Sequence, residues 1–358
     1  MKISRKCHIL IRVLPEEVPE GETLYITGNH RLLGNWNPSA VALRRQPDGS
    51  WSREFTFRRH TTVEFKVTRG SWQTEAADAT GRPLDNYRLR VQRDDTITLK
   101  VPRWRDQVTN APPPEERIRG TVRFHRRMEG EGLLPRDVIV WLPPGYEEDA
   151  RRRYPVLYMH DGQNLFDPQT AYTGVDWEVD ETATRLIEEG KIEAIIIVGV
   201  YNTVDRVEEY SLSPKGERYR RFLIRQLKPF IDQTYRTRPE REHTATLGSS
   251  MGGLVSFLLG WYHAEVFSGV GCMSPSFIYR KGETIKALKS SLPPAQPIRL
   301  YMDCGGVGGE RLLYRGCKRV RRILRQKGLV EGKDFLFYYD PEADHSEQAW
   351  GARLWRPL

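Results

Sequence analysis

The sequence predicts two parts: an immunoglobulin-like β-sandwich over residues 1–104, then a three-layer α/β domain over residues 120–358. Three observations predict this. Residues 1–104 hold short β-branched and aromatic runs separated by turn residues, with no helix of any length. The second part alternates apolar strand-like runs with amphipathic helical runs, the pattern of a mostly parallel sheet covered by helices. Between them lies RDQVTNAPPPEERIR (105–119), a linker in which Pro112, Pro113 and Pro114 favour extended chain.

Composition narrows the class. The chain has 358 residues, 39% hydrophobic and 10% aromatic, enough for packed cores. No apolar run approaches the roughly 20 residues of a membrane helix. The N-terminal MKISRKCHILIRVLPEE turns charged too soon for a signal peptide, so a cytoplasmic location is expected. The net charge of +9 comes from 56 basic and 47 acidic residues scattered over both parts. No recognition motif accompanies it, so no nucleic-acid partner is expected. Cys7, Cys272, Cys304 and Cys317 lack metal or disulfide-framework spacing and read as reduced thiols. Cys272 and Cys304 fall near the ends of successive strands, where a bridge is the alternative.

Taken in order, the first part reads as strands at Ile9–Val13, Thr23–Thr27, Ser52–Phe57, Thr62–Thr68, Tyr87–Val91 and Thr96–Val101. Turns at Gly28-Asn29, Asp48-Gly49 and Arg69-Gly70 punctuate them. The second part reads as a strand at Val138–Leu142, then Val156–Met159 leading into His160-Asp161-Gly162-Gln163-Asn164. A helix from Asp180 and the all-apolar strand Ala194–Val200 follow. A long helix covers Glu217–Tyr235, with Phe222, Leu223, Leu227, Phe230 and Ile231 on one stripe. Strands at Phe267–Met273, Ile298–Met302 and Asp334–Tyr339 complete the sheet. A helix over Leu312–Lys327 and a short one at the C-terminus flank them.

One stretch carries the chemistry. HTATLGSSMGG (243–253) contains Gly248-Ser249-Ser250-Met251-Gly252, a G-x-S-x-G pentapeptide between a strand run and a helix run. That context predicts a nucleophile elbow. A serine on so sharp a turn needs nearly absent neighbours, which Gly248 and Gly252 provide. Ser250 is the candidate nucleophile. The N–H of Met251, at the helix start, is a candidate oxyanion donor. An α/β-hydrolase places its base last in the chain, after the acid. His345, in a loop beyond the final strand, meets that requirement, whereas His263 falls in the helix after the elbow. The acid should follow the Ile298–Met302 strand. Glu310, beyond the glycine-rich loop 305–309, is the first choice, with Asp303 and Asp344 as alternatives. Gln163, after the Val156–Met159 strand, should supply the second oxyanion N–H. His160-Asp161 has no further matching ligands, so neither a metal nor a cofactor is expected.

Two resemblances sharpen these expectations. Gly28-Asn29-His30-Arg31-Leu32-Leu33-Gly34-Asn35-Trp36, followed by Trp51, Phe65-Lys66, Trp72, Glu75 and Asn86, resembles starch-binding carbohydrate-binding modules. The resemblance implies sugar stacking on Trp36 and Trp72, with Lys66 and Asn86 on the hydroxyls. An indole face suits the C–H face of a pyranose. The lengthened segment 76–85 departs from the pattern. PVLYMHDGQNLFD, IIIVGVYNTVDRVEEYS, LGSSMGGLVSF and DHSEQAW are similar to the esterase family that includes esterase D, enterochelin esterases and feruloyl or acetyl-xylan esterases. This covers residues 120–358 and implies a serine carboxylesterase that works without metal. It also implies that 206–210 walls the mouth of the site.

The expected function is hydrolysis of acetyl or feruloyl esters on a carbohydrate through a Ser–His–acid acyl-enzyme. An enterochelin-type siderophore esterase and a promiscuous polyester hydrolase are the enzymatic alternatives. A glycan-binding protein with a silent hydrolase domain is the alternative of another class. The expected partner is an ester substrate, with no membrane.

Overall fold

The computed structural model describes residues 6–79, 81, 83–107 and 114–358. The chain divides into two compact units, 1–112 with 172–174, and 113–171 with 175–358. Of the prolines expected to stiffen a linker, Pro112 and Pro113 lie outside the described residues.

The first unit is a sandwich of two four-stranded sheets. In one, the strands run in the order 44–45, 51–58, 6–15, 95–101, and in the other 41–42, 25–28, 62–68, 87–90. Alternation builds its core. Ile9, Ile11 and Val13 point inward from one sheet, and Val63, Phe65 and Val67 from the other, all fully buried. Trp51 is also buried in this core.

The second unit is an eight-stranded sheet with helices on its faces. Its strands are β1 (Thr121–Gly130), β2 (Leu133–Leu142), β3 (Val156–His160), β4 (Ile196–Val200), β5 (Thr244–Ser249), β6 (Gly269–Met273), β7 (Arg299–Gly305) and β8 (Phe335–Asp340), in the order β1-β2-β4-β3-β5-β6-β7-β8. From β4 onward neighbouring strands are parallel, while β1–β2 and β2–β4 are antiparallel. The central strands are buried end to end, the consequence of apolar runs such as Ile196–Val200 covered on both faces.

Besides single turns at Pro114–Arg117 and Arg206–Glu209, the helices are α1 (Val179–Glu188), α2 (Pro214–Phe222), α3 (Lys228–Thr234), α4 (Met251–Tyr262), α5 (Tyr279–Ser290), α6 (Glu310–Gln326) and α7 (Glu347–Arg353). The long helix read over 217–235 is divided. A π-helical stretch, Leu223–Leu227, joins α2 to α3, whose first turn holds Pro229. Two elements go beyond the sequence pattern. β1 (TVRFHRRMEG) is an edge strand with too many charges to show an apolar rhythm. α5 carries three consecutive left-handed residues near its start, so its helical period is broken. The cysteines are all free and buried, so Cys272 and Cys304 are not bridged.

Candidate active site

β5 ends at Ser249, and α4 begins at Met251, which leaves Ser250 as the hinge residue at φ 55°, ψ −117°. Left-handed backbone costs a non-glycine residue about 1 kcal/mol or more, so the surroundings must impose it. They do so through two backbone bonds. Ser250 N–H donates to Met273 O at 2.9 Å, and Ser276 N–H donates to Ser250 O at 2.9 Å. Gly248 is sterically required, and Gly252 sits in a tight contact. A Cβ on Gly248 would approach the Gly252 backbone to 2.7 Å, and one on Gly252 would reach Asp161 Oδ2 at 3.2 Å.

Three side chains from different elements meet here. Ser250 Oγ lies 3.0 Å from His345 Nε2, and His345 Nδ1 lies 2.5 Å from Glu310 Oε1. His345 comes from the loop after β8, and Trp350 of α7 packs edge-on against its ring at 4.8 Å. Glu310 opens α6 and is fully buried. Its second oxygen accepts from Gly305 N–H at 2.7 Å. Burial pushes this carboxyl up, but the His345 and Cys304 hydrogen bonds outweigh it and hold the carboxyl below its ordinary value. The structure therefore brings Glu310 to His345. Asp303 faces elsewhere: Oδ1 and Oδ2 accept from Arg353 at 3.1 and 3.2 Å, and Tyr301 O–H adds a third donor. Asp344 accepts from Ser346 O–H and stays on its own loop. A further hydroxyl, Ser276 Oγ, lies 3.2 Å from Ser250 Oγ.

The loop after β3 faces the elbow. Asp161 takes left-handed angles and turns the chain into the short 3-10 segment Gly162–Asn164. Its buried carboxylate accepts from Arg206 Nε at 2.6 Å and Nη2 at 2.7 Å, and from Asn202 Nδ2 at 2.6 Å. Burial works against ionisation, but Arg206 and Asn202 keep the carboxyl below its usual value. Asn202 N–H also donates to Gln163 Oε1 at 3.2 Å, and Thr170 O–H donates to Gln163 O at 2.6 Å, so both ends of Gln163 are held. Among the described residues no acceptor takes the N–H of Gln163 or of Met251. The Asp161–Arg206–Asn202 cluster escapes sequence reading because its members are 41 and 45 residues apart. The available signal was a charged residue directly after a largely apolar strand. His160, beside it, is sealed between Tyr219 O–H at 2.9 Å and Thr246 Oγ1 at 3.2 Å. Among the described residues, only Asp176, Asp180 and Glu181 gather ligand oxygens, within 4.8 Å of one another, as a metal ion would require. Burial raises the first two carboxyls, to about 6 and about 8.

In the sandwich, Trp36 and Trp72 are half-exposed and Asn86 is exposed. Lys66 differs from expectation. Its ammonium donates to Glu75 at 2.7 Å, and Glu75 also pairs with Arg105 at 2.9 Å, all three nearly out of solvent. A buried ammonium stays with its counter-charge, so Lys66 does not stand at the rim with the tryptophans.

Strand order, elbow and the loop-borne histidine define an α/β hydrolase of the esterase type. The chain belongs to the Putative esterase family, which matches residues 134–358. Residues 6–99 match the starch binding domain. Uncharacterized protein YbbA of Bacillus subtilis is 27% identical over 212 residues, covering 54% of this chain and 79% of that protein. An endo-1,4-beta-xylanase/feruloyl esterase of Xylanibacter ruminicola is 30% identical over 139 residues, 38% of this chain and 19% of that protein. A CE1 ferulic acid esterase from Anaeromyces mucronatus shares the fold at TM-score 0.51 and 22% identity, covering 68% of this chain and 93% of that one. The enterobactin esterase FES from Shigella flexneri does so at 0.54 and 13%, covering 94% and 87%. The protein is thus a carboxylic ester hydrolase with an N-terminal starch-binding-type sandwich. No helix among the described residues is long and apolar enough to cross a membrane.

Proposed function

We propose that the protein is a serine esterase that removes acetyl or feruloyl groups from carbohydrate. The observation that carries this is the hydrogen-bonded line from Ser250 Oγ through His345 to Glu310, at 3.0 and 2.5 Å. Ser250 Oγ attacks the ester carbonyl while His345 Nε2 takes its proton. The carbonyl oxygen becomes an oxyanion held by the N–H groups of Met251 and Gln163, both open to it. Glu310 fixes the imidazole with Nδ1 protonated and stabilises the imidazolium. The C–O bond to the sugar breaks, and His345 returns the proton to the departing hydroxyl. Water then repeats the sequence on the acyl-enzyme and frees the carboxylic acid. Trp36 and Trp72 hold the glycan by stacking and Asn86 by hydrogen bonds, which keeps the ester-bearing polymer at hand. Four buried, reduced cysteines support a cytoplasmic setting.

The test is hydrolysis of p-nitrophenyl acetate and a feruloyl ester by the wild type and by Ser250→Ala. The variant should lose about 10³-fold or more in kcat. Starch binding with no turnover by either protein would replace this reading with a glycan-binding protein whose hydrolase domain is silent.

A further inference from the structure

The line Ser250–His345–Glu310 leaves one buried reactive group unused. Cys304, near the end of β7, is fully buried, and its Sγ lies 3.0 Å from Glu310 Oε2. A carboxylate beside a protonated imidazole can only accept, so the proton in that contact is the thiol's. Cys317 follows Glu310 by seven residues, two turns along α6, and so shares its face. It lies close enough to Cys304 to act on that thiol. Glu310 Oε2 thus has two fixed donors, the Cys304 thiol and Gly305 N–H at 2.7 Å. The other oxygen, Oε1, is left for His345.

We propose that the Cys304 thiol is a positioning residue of the catalytic triad: it pins Glu310 Oε2 so that Oε1 meets His345 Nδ1. This rests on the serine esterase reading above. The chemistry favours a thiol at this place. A buried carboxylate pays a desolvation cost that only donors offset, and a backbone N–H alone leaves its other lone pairs empty. A thiol donates weakly and does not ionise here, because the neighbouring Cys317 and then burial push it far up. It therefore supports the carboxylate without competing for its charge. Gly305 is the partner device. A Cβ there would strike Ala343 O at 2.3 Å and Glu310 Cγ at 2.8 Å, so only glycine lets the strand end, the acid and the histidine-bearing loop converge.

Among the described residues, His345 from the loop after β8 and Cys304 from β7 hydrogen-bond Glu310, Cys317 of α6 acts on the Cys304 thiol, and Arg353 of α7 feels the Glu310 charge. Arg353 is already committed to Asp303 at 3.1 Å. Removing the thiol donor leaves a more basic carboxylate. Whether the first proton taken up by the Glu310–His345 pair resides on carboxylate or imidazole, it is then held more tightly. The acid limb of kcat/KM must move to higher pH.

The experiment is the pH profile of kcat/KM on p-nitrophenyl acetate for the wild type, Cys304→Ala, Cys304→Val and Cys304→Ser, each also in a Ser250→Ala background. Both donor-free variants should raise the acid limb by about half a pH unit, a roughly threefold gain in proton affinity, and lower kcat several-fold. Cys304→Ser, which keeps a donor, should restore both. If Cys304→Ala does not fold, Cys304→Val, closer to cysteine in volume, carries the comparison. Profiles that superimpose, or a serine variant that behaves like alanine, would reduce Cys304 to packing and leave the triad standing. Activity that survives Ser250→Ala would remove the serine esterase reading and this inference with it.

Discussion

Replacing Glu310 by glutamine offers a sharp outcome, because the structure dictates which way the amide must face. Glu310 Oε2 accepts from Gly305 N–H at 2.7 Å and from the Cys304 thiol at 3.0 Å. Only a carbonyl oxygen can take those donors, so the amide nitrogen is forced toward His345 Nδ1. Two donors cannot face each other across 2.5 Å. The imidazole must give up the Nδ1 proton and carry it on Nε2, the atom that has to accept from Ser250. The wrong tautomer costs about 10³- to 10⁴-fold in kcat. Glu310→Ala removes the carboxylate but leaves the tautomer free, so its loss should not exceed that of the glutamine variant. The assay is initial-rate hydrolysis of p-nitrophenyl acetate, with circular dichroism to confirm folding. The ordering is the test. If the near-isosteric glutamine variant keeps more activity than alanine, or stays within about tenfold of wild type, Glu310 does not set the tautomer and the reasoning fails.

Two further outcomes follow from the same geometry. Asp303→Asn strands the buried Arg353 guanidinium, so it should destabilise by about 3–5 kcal/mol while the folded fraction keeps kcat within a few-fold. Thermal melts alongside rates would detect the reverse, a stable but inactive protein, which would return Asp303 to the acid role. His160, buried and neutral, has its pKa lowered from 6.5 to about 3. The unfolded chain therefore binds this proton first, and its contribution is complete above pH 6.5 and is lost as pH falls toward 3. Asp176, pushed up to about 6, acts in the opposite sense, so the comparison must be between variants. Melting temperature should fall less between about pH 6.5 and 5 in His160→Gln than in the wild type, and equal slopes would count against His160 as the source.

Much of this molecule was readable from residue order, for physical reasons specific to each element. Period-two alternation in 62–68 and the unbroken apolar run at 196–200 report burial directly, since a strand's faces are set by chain geometry. The elbow was legible because a left-handed serine between strand and helix demands small neighbours, and Gly248 and Gly252 are visible as letters. Edge strand β1, too charged to show an apolar rhythm, and α5, with its left-handed start, lack any such local demand in the sequence pattern.

What order along the chain could not decide was which acid meets His345. Asp303 lies in β7 and Glu310 a few residues beyond its end, and their charges are alike. The choice depends on Arg353, 50 residues beyond Asp303, which captures that carboxylate, and on Gly305 and Cys304, which turn Glu310 toward the histidine. The same holds for Lys66, legible as a cation but committed to Glu75 only once the sandwich closes. Local backbone demands are written in neighbouring residues. The pairing of buried charges is written only in the packing that excludes water from them, because it is desolvation that forces each one to find a partner.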